Sequence, residues 1–154
     1  MSKPKTEEIH KEIEIIQNVI NRMSDNSFKV KAWFIGILTL ILGLKKNIFT
    51  TGYIHSHLYY IIFIYLLILL FWYMDSFFLQ TELTYRNIYN WVINNRKKTK
   101  KYLYDLDTLE REWNAKSKII NKPSLFKVAW SKTIWPFYFI PILFITIIVI
   151  KIIL

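Results

Sequence analysis

The chain has 154 residues, of which 53% are hydrophobic and 18% aromatic, and its formal net charge is +10. A soluble domain of this size could not bury so much apolar surface, which argues against both a disordered chain and an ordinary cytosolic fold. Because the chain has no cysteine, disulfides, zinc-finger spacings and thiol nucleophiles are excluded. The positive charge makes anionic lipid and nucleic acid the partners to consider.

The N-terminal segment, residues 1–27, is predicted to be a cytoplasmic amphipathic helix with Glu7 and Glu8 in its acidic first turn. The polar run 24–27 is expected to end it and to cap the next helix. Packing against helices of the same chain is the favoured role of its apolar seam, because two heptads are too few to establish a coiled coil. The alternative is an oligomer contact. The seam residues recur every three or four positions: Ile9, Ile13, Ile16, Ile20 and Met23.

Three apolar segments are candidate membrane spans: 30–44, 58–74 and 134–154. Crossing a bilayer takes about 17–25 helical residues. The second and third segments are long enough, and the first is long enough if Phe28 and a snorkelling Lys31 extend it. The prediction is an all-α integral membrane protein with three transmembrane helices. Two spans with a re-entrant first segment is the alternative.

The distribution of basic residues predicts the orientation of these spans. Six Lys and Arg lie in the N-terminal segment up to Lys31, two lie in the first loop, and twelve lie in residues 76–132. Under the positive-inside rule, the N-terminus and the second loop are cytoplasmic in a bacterial inner membrane, and the C-terminus lies outside. Residues 28–74 then form two spans with a short outer loop, and residues 133–154 form the third span.

Residues 75–132 are predicted to form a cytoplasmic helical hairpin followed by an interfacial helix. The second span is expected to continue as a helix to about Asn95, because neither glycine nor proline interrupts it. A basic turn follows, then a returning helix marked by Leu106 and Ile120, and a short helix that opens at Ser124. Together with the N-terminal helix, this hairpin is expected to form a cytoplasmic three-helix bundle.

The basic turn is a candidate docking site for an anionic partner or nucleotide, and a solvated hairpin tip is the alternative. A straight helix would hold the turn about 30 Å from the bilayer, beyond the reach of lipid electrostatics at physiological salt. Nucleic-acid binding is not expected as the main role, because no aromatic residue is interleaved among the basic ones. The five basic residues of the turn are Arg96, Lys97, Lys98, Lys100 and Lys101.

Asp75 closes the second span and is a candidate gating residue. An ion pair with Lys29, Lys31 or a nearby basic group is the favoured interpretation of this acid. The two outer-loop histidines, His55 and His57, are not expected to hold a metal, because no carboxylate or cysteine accompanies them.

Small and ring-constrained residues in the spans are further candidates for packing or gating. Gly36 and Gly43 lie on one face of the first span and would permit close helix approach, with simple lipid exposure as the alternative. Pro141 is expected to kink the third span.

Several kinds of catalytic motif are missing from the chain. It has no phosphate-binding glycine loop, no Gly-x-Ser-x-Gly elbow, no His-Glu-x-x-His and no convergent carboxylates in the spans. We therefore predict no catalytic residue, no cofactor and no metal site, and we do not expect an enzyme.

Three stretches at the predicted cytoplasmic boundaries carry a resemblance. They are residues 19–33, residues 71–75 with 85–89, and residues 130–138. They resemble a group of small bacterial multi-spanning membrane proteins in which an Arg-Met-x-x-Asn-Ser-Phe-x-x-Lys-x-Trp signature opens the first span, here from Arg22 to Trp33. In build these proteins are similar to membrane effectors encoded beside nucleotide-signalling anti-phage genes.

The resemblance implies a non-enzymatic, oligomeric membrane protein that acts as a defence effector and perturbs the bilayer on a cytoplasmic signal. Its partners would be the lipid bilayer, further copies of the chain, and a defence-system protein or anionic nucleotide. The alternative is a scaffold or accessory subunit of a membrane complex. A holin-like pore is a third hypothesis, disfavoured because holins seldom place so long a segment between spans.

Overall fold

The computed structural model describes residues 5–44, 54–100, 102–106 and 122–153, and all regular secondary structure in these ranges is helical. The helices are α1 (Thr6–Leu44), α2 (Ile54–Asn95), α3 (Leu125–Ala129) and α4 (Trp135–Ile153). The predicted all-α class is confirmed for this part of the chain. Residues 107–121, where the returning helix was expected, and Lys101 lie outside the described residues.

The first helix, α1, runs without interruption for 39 residues, so the predicted break at residues 24–27 is wrong. Ser24 and Asp25 are exposed and leave the backbone helical, while Ser27 is buried. Its hydroxyl bonds to Asp75 on α2 instead of capping a helix end. A side-chain partner elsewhere in the chain thus removes the competition that serine usually offers to helical hydrogen bonding.

The second helix, α2, has 42 residues and ends at Asn95, which confirms the expected continuation beyond the second apolar segment. At ~1.5 Å per residue it is about 63 Å long. It begins at Ile54, so the backbone of residues 55–57 is helical rather than part of the outer loop. An unbroken helix of this length forms because it contains neither glycine nor proline.

The helices α1 and α2 pack against each other as an antiparallel hairpin. Residues 6–26 and 76–95 form its polar half, and residues 27–44 and 54–75 form its apolar half. Ile16 and Ile20 of α1 are buried against Ile88 and Val92 of α2 in the polar half. In the apolar half, the core extends from Phe34 and Phe71 to α4.

The apolar seam of α1 is therefore packed within the chain, as the favoured alternative had it. Ile16 is fully buried and Ile20 nearly so, while Ile13 is partly buried against the same cluster. Ile9 and Met23 are half-buried. Because α2 already covers Ile16 and Ile20, a second copy of the chain could contact only the partly buried residues at the edges of the seam.

The C-terminal helices dock on the apolar half of the hairpin. The short α3 opens directly after Ser124, as expected, and the indole of Trp72 donates a hydrogen bond of 3.0 Å to the carbonyl of Ala129. The helix α4 buries Tyr138 and Ile145 in the shared core, together with Ile134 immediately before the helix. These contacts bring α1, α2 and α4 together at the junction of the two halves.

Two helices, α1 and α2, are long and apolar enough to cross a membrane. The apolar stretch of α4, Trp135–Lys151, is shorter. Large apolar side chains on all three helices stay exposed, among them Leu40, Leu66 and Ile147 at 59–63%. Such exposure matches helices whose outer faces meet lipid.

Candidate functional site

The carboxylate of Asp75 is the centre of a buried polar cluster where α1, α2 and α4 meet. Asp75 is fully buried, and its oxygens lie 2.6 and 2.7 Å from the Lys31 ammonium. The hydroxyl of Ser27 donates to Oδ1, and the hydroxyl of Tyr138 donates to Oδ2 at 3.2 Å. The expected ion pair is confirmed with Lys31 as the partner. We call these four residues the Asp75 cluster.

The helical spacing of α1 explains why two donors reach one carboxylate. Ser27 and Lys31 are four residues apart and therefore lie on one face of the helix. The Lys31 ammonium also donates to the Ser27 oxygen at 2.9 Å, which orients the serine proton toward Asp75. The sequence predicted that Asp75 pairs with a basic residue, but it did not predict the hydrogen bonds from Ser27 and Tyr138.

Aromatic rings enclose the Asp75 cluster. The ring of Tyr138 lies 5.0 Å from that of Phe34 and stacks on Trp72 at 6.1 Å. Phe71 adds a further ring 5.7 Å from Phe34. Rings around an ion pair keep water away and strengthen its electrostatic attraction. The cluster therefore connects three helices through buried polar contacts.

A second buried ion pair joins the two helices at the far end of the polar half. Arg96 and Glu12 form two parallel hydrogen bonds, from Nε to Oε2 at 2.6 Å and from Nη2 to Oε1 at 2.5 Å. Their side chains are only 2% and 3% exposed. Arg96 also lies 5.1 Å from the centre of the Trp91 ring. This bidentate geometry is the strong form of a carboxylate–guanidinium contact.

The turn after α2 wraps around this pair. Arg96 donates to the carbonyls of Thr99 and Tyr102, and the amide of Tyr104 donates to Glu12 at 3.2 Å. Tyr102 and Tyr104 both have φ near +60°, a left-handed conformation that is uncommon for residues other than glycine. The hydrogen bonds to the ion pair maintain this conformation.

Arg96 does not belong to an exposed basic tip, and the prediction that placed it there is wrong. Its guanidinium finds a buried carboxylate and two carbonyls, whereas Lys97 and Lys98 are exposed. Lys100 is half-buried, and its ammonium lies 3.0 Å from Glu8. Among the described residues of the turn, Lys97 and Lys98 remain candidates for docking an anionic partner.

Glu8, at the same end of α1, is partly exposed and has two partners. The backbone amide of Lys5 donates to its carboxylate at 2.9 Å. That hydrogen bond, followed by the one from Lys100, lowers the pKa of Glu8 below its ordinary value. Glu8 therefore keeps its charge, and its contact with Lys100, at mildly acidic pH.

The candidate glycines and proline are not part of either cluster. A Cβ atom added to Gly36 or Gly43 would meet nothing within 4 Å, so no close approach within the described chain needs these glycines. Both lie on the exposed side of α1. Pro141 lies inside α4, which continues past it to Ile153, and the expected kink stays a prediction.

Sequence analysis missed Glu12, although a signal was present. Glu12 lies four residues before Ile16 and therefore on the apolar face of α1. A charged residue on such a face is rarely buried unless it is paired. Its partner is 84 residues away in the chain and was hidden in a run of lysines.

A polar cavity of about 550 Å³ separates α1 and α2 between the two ion pairs. Gln17, Asn21, Arg86 and Asn90 are among its lining residues, and Arg86 pairs with Glu82 one turn away. The carboxylates of Glu12 and Asp75 each accept hydrogen bonds from several donors, an arrangement that suits the locking of helices. In the described residues, no group of three or more His, Asp or Glu side chains could hold a metal ion. Comparisons of the chain with protein families, with curated proteins and with solved structures give no match.

Proposed function

We propose that this chain is a three-span protein of the bacterial inner membrane that perturbs the bilayer in response to a cytoplasmic signal. The observation that carries the proposal is a continuous helical connection between the two buried ion pairs. Two unbroken helices connect the Glu12–Arg96 pair to the Asp75 cluster. The polar half then lies in the cytoplasm, and the apolar half lies in the membrane together with α4.

The distance between the two ion pairs supports a coupled movement. They are separated by 19 residues along α1 and by 21 along α2, which is about 30 Å of helix. Packed helices shift as rigid elements between discrete arrangements. A partner that binds one arrangement of the helices more tightly than the other, at the Glu12–Arg96 end, also shifts the packing at the Asp75 cluster. The size of the shift is set by the difference between its two affinities.

The placement of aromatic and basic residues supports the membrane location. Trp33 is 70% exposed and Trp130 50% exposed, near the junction where the polar half begins. Indole rings are enriched at membrane interfaces. Basic residues are concentrated in the polar segments, which under the positive-inside rule supports a cytoplasmic location for those segments and a C-terminus outside.

The defence role is the most specific part of the proposal. Its support is the signature from Arg22 to Trp33 and the similarity in build to membrane effectors of anti-phage systems. The exposed Lys97 and Lys98 offer a surface to an acidic partner protein or an anionic nucleotide. The exposed side of α1 with Gly36 and Gly43 offers a surface for self-association.

Membrane potential measurements test the effector proposal. Arg96→Met should release the polar half and depolarise cells without any trigger when expression is induced, as a voltage-sensitive dye would report. The matched control is Lys11→Met, which removes an exposed basic residue next to Glu12 on α1, and it should leave the potential unchanged. Intact potential with Arg96→Met at equal membrane levels would favour the scaffold alternative.

Reporter fusions test the topology. A reporter that works only outside the cytoplasm should be active after Leu154, and one that works only in the cytoplasm should be silent there. The same pair fused before residue 5 should give the opposite result. Cytoplasmic activity at the C-terminus would overturn either the orientation or the count of three spans.

A further inference from the structure

A second concave surface lies between α1 and α2 at the level of the Asp75 cluster. It is a groove of about 510 Å³ whose residues come from these two helices. It follows α1 from Asn26 to Ile37, which is about 16 Å along the helix axis. Its walls are formed mainly by apolar side chains, among them Val30, Ile37, Phe71 and Met74. We call it the boundary groove.

The two ends of the boundary groove differ in polarity. Asn26 and Lys29 line the end that continues into the polar half of the hairpin. Ile37 and Phe71 line the end that lies in the apolar half. A ligand that matches this gradient has a polar, negatively charged head and a long apolar tail.

The charge of Lys29 is the feature that selects the head. Lys31, two residues away, is committed to Asp75 at 2.6 Å. Lys29 is exposed and forms no ion pair within the described part of the chain. An unpaired ammonium at the mouth of an apolar groove is complementary to a phosphate.

We propose that the boundary groove binds one anionic phospholipid of the inner leaflet. Its phosphate contacts Lys29 and the amide of Asn26, and an acyl chain lies along Val30 and Met74. The exposed ring of Trp33 borders the groove at the depth where indoles meet lipid glycerol. This inference rests on the proposed topology, in which this end of the groove faces the cytoplasmic leaflet.

A second copy of the chain fits the boundary groove less well. A symmetric contact places the same surface on both subunits. Each copy would then bring its Lys29 ammonium into the contact, and the residues that line the groove include no acid to neutralise it. Like charges brought into one contact oppose association. The lipid satisfies the lysine and the apolar walls together.

Native mass spectrometry of the full chain provides the test. The protein is released from nanodiscs of phosphatidylglycerol and phosphatidylcholine in a 1:3 ratio, and the lipids that remain bound are counted. Wild type should retain one phosphatidylglycerol per chain in preference to phosphatidylcholine. Lys29→Gln should reduce that retention about fivefold, which corresponds to about 1 kcal/mol for one basic residue at an anionic surface.

Matched variants separate the groove from a general charge effect. Lys132→Gln removes an exposed lysine near the same boundary but outside the groove, and it should retain lipid like wild type. Met74→Trp should fill the groove and abolish retention. Leu70→Trp changes an exposed residue of α2 that does not line the groove, and it should have no effect.

The possible outcomes distinguish this inference from the proposed function. Equal losses with Lys29→Gln and Lys132→Gln would overturn the specific site, as would a Met74→Trp protein that keeps its lipid. A subunit mass change with Lys29→Gln, without any change in bound lipid, would assign the groove to a second copy. Extraction of the wild-type chain from membranes by alkaline carbonate would instead contradict the proposed membrane location.

Discussion

Both ends of the polar half are held by a buried carboxylate, but the two carboxylates are neutralised in different ways. Glu12 receives a rigid guanidinium fork whose side chain is 2% exposed. Asp75 receives a single ammonium whose side chain is 21% exposed, together with hydroxyls of Ser27 and Tyr138. One end depends on a single charged partner together with the amide of Tyr104, whereas the other spreads its contacts over three side chains from two helices.

The difference indicates which end is built to open. Among the described residues, the hydrogen bonds to Glu12 come from Arg96 and from the amide of Tyr104 in the turn that follows it, so loss of this arginine removes the charged contact and releases the turn. At Asp75, Ser27 and Tyr138 continue to donate if the ammonium leaves. The Glu12–Arg96 end therefore behaves as an all-or-none latch, and the Asp75 cluster behaves as a joint that tolerates movement.

The largest expected effect is at the latch. Arg96→Met leaves Glu12 buried without a counter-ion, which typically costs about 3–5 kcal/mol. Hydrogen exchange in nanodiscs should then show amides of residues 6–20 opening at least about a hundredfold more often, while residues 58–75 keep their protection. Replacing Glu12 and Arg96 together by leucine should restore most of the protection. Unchanged exchange in Arg96→Met would show that the pair does not hold the hairpin closed.

An intermediate and asymmetric effect is expected at the joint. Lys31→Met strands the fully buried Asp75 and should destabilise the apolar half by roughly 3 kcal/mol. Asp75→Asn keeps a polar partner for both hydroxyls and leaves a lysine that can extend toward water, so its cost should be about 1 kcal/mol. Unfolding of the two variants in one detergent series, followed by tryptophan fluorescence, compares them. The reverse order would mean that Lys31 is the less hydrated member of the pair.

The smallest effect is expected at the exposed lysines of the turn. Changing Lys97 and Lys98 to glutamine should alter stability by less than about 0.5 kcal/mol, because surface charges away from packed groups contribute little. If these lysines dock an anionic partner, recovery of that partner should fall and lose its salt dependence. If the double variant recovers as much of the partner as wild type does across a salt series, the hypothesis of docking at this turn is ruled out.

Local sequence features were sufficient to predict the end of α2 at Asn95 and the ion pair of Asp75, but not the unbroken course of α1. An uninterrupted apolar run followed by helix-forming residues predicted α2 through to Asn95. A lone acid at the end of an apolar run needs a cation, and Lys31 lies in the matching position of the preceding segment. These predictions depend on composition and on spacing along one helix.

The burial of Arg96 and the role of Ser27 depend on the register between α1 and α2, and no local sequence pattern specifies that register. Arg96 was assigned to the surface because four lysines follow it closely in the sequence. Its position opposite Glu12 is what buries it. Ser27 was assigned to a helix cap because serine favours caps, yet Asp75 lies within reach across the hairpin. In both residues a tertiary partner outweighed the local preference.

The order in which the Asp75 cluster is synthesised has a consequence for biogenesis. The ribosome releases Lys31 and Ser27 before Asp75, and Tyr138 last of all. When the acid emerges, its cation is already present in the preceding helix, so the hairpin can neutralise its own charge before α4 exists. The late tyrosine contributes only a neutral hydroxyl, and the docking of α4 therefore adds no charge to the Asp75 cluster.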